Sequence, residues 1–424
     1  MKIAIIGGGS AYAPGLLQAF AADANAFPGA ELALMDIAAD ELAIVHRLGN
    51  RLLEGSGLRL SATTDRLRAL DGADFVLTTF REGGLRARHL DERVPLAFGL
   101  VGQETIGPGG FFFAMRTLPV MRAICDELER YAPHATIVNY TNPTQIVAEA
   151  VTRFTRVRCV SICDQSDDDR VHLAAALGLS PTAIELESVG LNHATWSTTC
   201  TIEGEDGVAL LTQSCDRLLA SGHVSPRVKR QVALTRTYER VPNSYLQYYY
   251  ERDATFAEAK AAPRTRAEAI SDELPGLYRH FAEQALAPHA RLQAGRGGSV
   301  FGDFAVRVLR TLATGERTRL TLNVRNGSTL PDFDPERVVE VPCDLHEGRI
   351  TPVPQERFPR DTVGLLRMLA DYQAAAADAI WGADHVALDR ALAANPLVLS
   401  LALARSLLRA RADAARLDGY EHPP

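Results

Sequence analysis

The sequence lacks nearly everything that would mark a membrane, secreted or nucleic-acid-binding protein. No run of about 18 apolar residues occurs, so no membrane-spanning helix is expected. The apolar opening MKIAII meets glycines after six residues, far short of a signal peptide. Six cysteines, Cys125, Cys159, Cys163, Cys200, Cys215 and Cys343, lie scattered without CxxC spacing. That excludes a disulfide framework or a structural zinc site, and most of the six read as small buried hydrophobes. Basic residues are not in excess: Lys+Arg 45 against Asp+Glu 52 gives a net charge of −7. Neither nucleic acid nor an anionic membrane is therefore an expected partner. Repeats, low-complexity stretches and flexible linkers are missing as well. The expected location is cytoplasmic.

What is present is an ordinary globular composition, 46% hydrophobic and 23% charged over 424 residues, a length that favours two closely packed domains. Over the first 165 residues, short apolar runs alternate with helical-period segments such as Leu16–Phe20 and Thr117–Tyr131. The runs are Ile3–Ile6, Leu32–Met35, Phe75–Phe80, Thr136–Tyr140 and Cys159–Ile162. Alternation of this kind predicts a Rossmann-like, doubly wound parallel sheet with helices on both faces. Beyond about Glu187 the rhythm shifts to longer helices, Arg227–Arg240, Arg264–Ala285 with a break at Pro275, and Val363–Trp381. LTLNVRNGST and RVVEVPCDL read as strands between the last two. The expected division is an α/β dinucleotide-binding unit over 1–186 and a mixed α+β catalytic unit over 187–424. A ligand pocket is expected at their junction.

Polar residues collect at the carboxyl ends of the predicted strands, the edge where such sheets bind ligands. Gly7-Gly8-Gly9-Ser10 follows the first strand as a turn able to receive a pyrophosphate, although it departs from GxGxxG and also fits a plain strand-to-helix turn. Asp36 closes the second strand, where an acid binds the ribose hydroxyls of NAD and repels the extra phosphate of NADP. Cys163-Asp164 closes the fifth, and Asn192-His193 follows about thirty residues later. A Cys and a His in one pocket can ligate a metal, and an Asp beside them can act as an acid. Each has a plainer reading: a buried thiol, a core histidine, a solvated Glu104 in a glycine-rich loop, an Asx turn at Asn142, an aromatic helix face at Tyr245–Tyr250.

Taken in order, GGGSAYAP, LRARHLDERVPLAFGLVGQETIGPGG, NYTNP, CDQ, GLNH, PNSYLQYY, TRAE and FDPERVVEVPC make the chain resemble family 4 of the glycoside hydrolases, which departs from two-carboxylate glycoside hydrolysis. The resemblance implies NAD⁺ and a divalent cation, usually Mn²⁺, in a redox-neutral cycle: oxidation of the sugar at C3, elimination across C1–C2, addition of water and return of the hydride. Softness alone makes Mn²⁺ an unusual partner for a thiolate. Carried over by motif, Cys163 and His193 are metal ligands, Tyr245 is the C2 base and Asp164 the general acid. A tyrosine of pKa about 10 must be lowered by the cation to act as that base. Arg88, Glu104, Asn142, Asn192 and Arg266 would contact the substrate.

The chain departs from the phospho-α-glucosidase branch in a shorter segment between His193 and Tyr245 and in Gln165-Ser166. The expected substrate is a small hexoside with an anionic C6 group, foremost a 6-phospho-α-glucoside. Alternatives with the same mechanism are a sulfoquinovoside, a 6-phospho-β-glucoside or a glycuronide. An NAD-dependent hydroxy-acid dehydrogenase and a silent nucleotide-binding sensor are the readings from other classes. The resemblance also implies a homodimer or homotetramer.

Overall fold

Four successive buried residues, Ile3–Ile6, make the opening strand apolar on both faces, the composition of a strand covered by helices above and below. The structure is a computed structural model and describes residues 1–293 and 302–418. Its strands are β1 (Lys2–Ile6), β2 (Glu31–Met35), β3 (Arg59–Thr63), β4 (Phe75–Thr78), β5 (Thr136–Asn139), β6 (Arg158–Ser161), β7 (Ile184–Leu191), β8 (Ala194–Ile202), β9 (Glu205–Asp206), β10 (Thr318–Arg325), β11 (Val338–His346) and β12 (Arg349–Pro352). The helices are α1 (Ala13–Ala22), α2 (Ala39–Leu52), α3 (Arg66–Leu70), α4 (Gly84–Ala97), α5 (Gly107–Tyr131), α6 (Thr144–Phe154), α7 (Gln165–Leu177), α8 (Gly207–Ala220) and α9 (Pro226–Tyr238). They continue with α10 (Gln247–Tyr250), α11 (Arg252–Ala261), α12 (Arg266–Gln284), α13 (Asp303–Thr314), α14 (Arg360–Trp381), α15 (His385–Ala393) and α16 (Leu401–Leu417).

The strands form one sheet in the order β3-β2-β1-β4-β5-β6-β10-β11-β7-β8-β9, with β12 on β11. The first six are parallel and follow the strand order of dinucleotide-binding sheets. The chain is thus α/β, with a Rossmann-like parallel sheet leading into a mixed second half. Beyond β6 pairing turns antiparallel through two narrow joints, Asn323 opposite Ser161 and Glu340 opposite Gly190. Asn323 and Glu340 are themselves partners across β10 and β11. Two residues past Ser161 lies Cys163, and three past Gly190 lies His193, so the register of these joints brings the two together.

Residue 186, the expected end of the first unit, lies within β7, and residues 294–301 and 419–424 of the expected second unit lie outside the described residues. Several other expectations shift. Strand β3 and the β7–β8–β9 meander were not anticipated. Pro275 does not break its helix: α12 runs through it. The aromatic run after Ser244 is a single 3₁₀ turn, Ser244–Leu246, followed by the short α10. No helix among the described residues is long and apolar enough to cross a membrane.

Candidate active site

The carboxyl ends of β1, β2, β5 and β6 border one cavity of about 1620 Å³. Ordinary small-molecule sites occupy roughly 300–1,000 Å³, so this one has room for more than one ligand. At one end lies the glycine turn. Gly7 and Gly8 donate to Met35 O at 2.9 and 2.8 Å. Gly7 has φ +95, and a Cβ there would lie 2.7 Å from the Thr79 carbonyl carbon, so only glycine fits. Asp36 accepts from Gly9 N at 2.9 Å and Ala38 N at 3.1 Å. Tyr278, reaching from α12, donates to Gly9 O at 2.8 Å. Ser10 Oγ is buried without a partner among the described residues, and α1 has no side-chain cap. A cradle of this kind, with an orphan hydroxyl and free helix N–H groups, fits a pyrophosphate.

At the other end, Asn192 and His193 form the two-residue link between β7 and β8, with His193 at φ 63. This left-handed conformation directs His193 Nε2 to 3.5 Å from Cys163 Sγ, while Thr105 Oγ1 lies 3.3 Å from its Nδ1. Burial holds the imidazole down to about 4, so it is neutral, the form that ligates metals. Burial, then the charges of Glu340 and Asp164, push the Cys163 thiol well up. A thiol and a neutral imidazole are two donors for a borderline divalent cation, and no cluster of three or more His, Cys, Asp or Glu donors occurs among the described residues. The pair fits a cation whose remaining positions are open. Tyr245 stacks on His193 with ring centroids 4.0 Å apart and planes at 19°.

Burial raises the Asp164 carboxyl even though Tyr140 hydrogen-bonds to it. Burial likewise pushes Tyr245 well above the usual phenol value, with Tyr248 and Glu104 adding to it. Glu104 behaves oppositely. Burial would raise it, but Arg81 and Arg88 outweigh burial and hold the carboxyl below its usual range. Arg88 Nη1 lies 3.0 Å from Glu104 Oε1, and its Nε donates to Glu92 at 2.6 Å.

Of the residues singled out in the sequence, all but Gly8 and Asn192 line the cavity. Gly8 instead packs against Leu34. Asn192 supports the site from behind: its Nδ2 donates to Glu340 at 2.8 Å, its side chain also hydrogen-bonds the Cys163 thiol, and its N–H donates to Gln145 Oε1 at 3.0 Å. Asn142 Oδ1 accepts from Thr144 N and Oγ1, so an Asx turn and a place in the cavity coexist there. Arg266 is exposed, and its side chain makes no hydrogen bond or ion pair among the described residues. Sequence reading missed Arg81, Tyr140 and Tyr278. Arg81 had a signal, its place just past β4 at the ligand edge; Tyr278, from a distant helix, had none.

A model described as "Family 4 glycosyl hydrolase" matches residues 2–179, and one for the "Family 4 glycosyl hydrolase C-terminal domain" matches 188–398. The chain belongs to family 4 of the glycosyl hydrolases. Among its relatives, a probable 6-phospho-beta-glucosidase of Bacillus subtilis strain 168 is 30% identical over 96% of this chain and 95% of its own length. A 6-phospho-alpha-glucosidase from gut microorganisms, solved in complex with NAD and Mn²⁺, superposes with a TM-score of 0.86 at 26% identity, covering 98% of each chain. The 6-phospho-beta glucosidase of Thermotoga maritima, solved with manganese, NAD⁺ and glucose-6-phosphate, gives 0.84 at 25% identity over 98% of this chain and 99% of its own. Membership in family 4 makes this chain a glycoside hydrolase and fits a redox-elimination mechanism. Alpha- and beta-acting relatives are about equally similar to it.

Proposed function

We propose that this chain hydrolyses a 6-phosphoglucoside, foremost the α-anomer, as an NAD⁺- and Mn²⁺-dependent enzyme. The observation that carries the reading is the stack of Tyr245 on His193, itself 3.5 Å from Cys163, in one cavity with the glycine turn. Bound in this cavity, NAD⁺ would supply a hydride acceptor for the sugar's C3, and a divalent cation would supply a Lewis acid. The Gly7–Ser10 turn would hold the pyrophosphate and Asp36 the adenosine ribose. Cys163 and His193 would hold the cation, with Asn142 orienting the sugar hydroxyls.

Tyr245 takes the C2 proton. In the protein alone its phenol is raised, so it works as a base only beside a positive charge at the Cys163–His193 pair. Asp164 gives a proton to the leaving oxygen, and burial shifts its carboxyl upward, in the direction that an acid needs. Arg88 and Arg266 bind the C6 phosphate, a guanidinium fork suiting a tetrahedral anion. Glu104 fixes the orientation of Arg88. The likeness to two 6-phospho-beta-glucosidases favours the β-anomer as the second reading.

Nitrophenyl glycosides differing in anomeric configuration and in the C6 group (phosphate, sulfonate, carboxylate, hydroxyl) test the assignment. Hydrolysis of the 6-phospho-α-glucoside in preference to the others is expected. A preference for unsubstituted glucosides overturns the anion pocket.

A further inference from the structure

Asp169 is a carboxylate only 2% exposed, and no step of the proposed reaction uses it. It stands one helical turn beyond Gln165 on α7, so the two side chains share a face. Its Oδ1 accepts from Gln165 Nε2 and from Arg227 Nη2, each at 2.8 Å, and its Oδ2 accepts from the Ser244 backbone N–H at 2.9 Å. Arg227, in the first turn of α9, donates its Nε to Ser244 Oγ at 2.8 Å and Nη2 to Asp168 Oδ2 at 2.7 Å. Ser244 is thus gripped at both its N–H and its hydroxyl, and the next residue is Tyr245. On the other side, α7 begins one residue after Asp164. Neither Asp169 nor Arg227 is among the described residues lining the cavity. Asp169 is buried while the Arg227 side chain stays 31% exposed; taking the counter-ion from a buried carboxylate is costly, and here the pair ties together three segments distant in sequence.

We infer that Asp169, with Arg227 as its counter-ion, is a positioning residue that locks the turn bearing Tyr245 to the helix starting beside Asp164. The lock sets the distance at which Tyr245 meets the C2 proton. This inference rests on the roles given to Tyr245 and Asp164 in the proposed function. A displacement of about 1 Å at a reacting group costs on the order of 10²-fold in rate, so a rigid tie between base and acid has a direct kinetic consequence.

The test uses the holoenzyme and a substrate deuterated at C2. In Asp169→Asn, kcat is expected to fall about 10²-fold, with KM unchanged and NAD⁺ still binding one per chain at wild-type affinity. The C2 isotope effect on kcat should be at least as large as in the wild type, because proton transfer has become the slow step. Arg227→Lys keeps the charge but loses the fork, and should show the same pattern more weakly. It also serves if Asp169→Asn does not fold. Unchanged kcat, a smaller isotope effect, or a parallel loss of NAD⁺ binding would each overturn the positioning role. Tyr245→Phe measured alongside separates the two levels of argument: wild-type turnover in Tyr245→Phe removes the base itself. A dead Tyr245→Phe beside unaffected Asp169→Asn and Arg227→Lys removes only the lock.

Discussion

Burial raises both Tyr245 and Asp164, which helps an acid and hinders a base. The two substitutions therefore have different signatures. Tyr245→Phe should abolish turnover with NAD⁺ affinity intact, and wild-type reaction in D₂O should place deuterium at C2 of the product. Absence of label would remove elimination across C1–C2. Asp164→Asn should slow alkyl glycosides by roughly 10²–10⁴-fold and nitrophenyl glycosides far less, since a good leaving group needs little protonation; equal losses for both would give Asp164 another role. The residues of these experiments were legible in the sequence because short motifs carry them. Their supports were not. Asp169 meets Arg227 across 58 positions and Asn192 meets Glu340 across 148, and no period or spacing announces a pair so far apart.

Helix α12 shows how an element sets a charge in place. Its N-cap Thr265 and Glu268 form a capping box, a signature readable in TRAE. Glu92 on α4 accepts from Ala267 N at 3.0 Å and from Arg88 Nε at 2.6 Å, while His89 Nδ1 lies 2.9 Å from Thr265 Oγ1. Arg266 is thereby docked in the first turn of α12 on the helix that carries Arg88. Arg266→Ala should weaken the C6-anionic substrate by about 1.5–3 kcal/mol and leave a neutral glucoside as poor as before, read from kcat/KM on both. A second effect lies where α6 meets β11. Glu149 Oε1 accepts from Val338 N at 2.7 Å while burial pushes the carboxyl up to about 7, against about 4.3 unfolded. The protonated form therefore favours folding: its contribution is complete below about pH 4.3 and is lost as pH rises through about 7. Glu149→Gln keeps the acceptor without the charge, so it should raise the thermal midpoint at pH 8 relative to wild type and not at pH 4. Equal shifts at both pH values would contradict the buried ionisation. Elements with a continuous apolar face, such as β1 or α14, were visible from composition. Edge strand β3 was not, because none of its five residues is buried and its only apolar members, Leu60 and Ala62, make too short an alternation to stand out.

At the scale of the whole molecule, the parallel sheet meets the antiparallel half at two narrow joints. Their register places Cys163 beside His193 at the ligand edge, with the glycine turn at the far end of the same cavity. That shared cavity was expected from strand ends alone; the continuous sheet beneath it was not, since its joints are single residue pairs. The arrangement makes a prediction about the holoenzyme as a unit. Each ligand that binds only the folded chain adds stability as RT ln(1 + [L]/Kd), about 2.7 kcal/mol at a hundredfold excess over Kd. Protein stripped of nucleotide and treated with a chelator should therefore gain thermal midpoint from NAD⁺ alone. Hydrolysis should return only when NAD⁺ and Mn²⁺ are added together, although glycoside hydrolysis is redox-neutral overall. Full activity without NAD⁺ would remove the redox cycle, and full activity with NAD⁺ alone would remove the cation's role. NADH released in proportion to product would instead convert the glycosidase into a dehydrogenase, because the hydride taken from C3 would never have been returned.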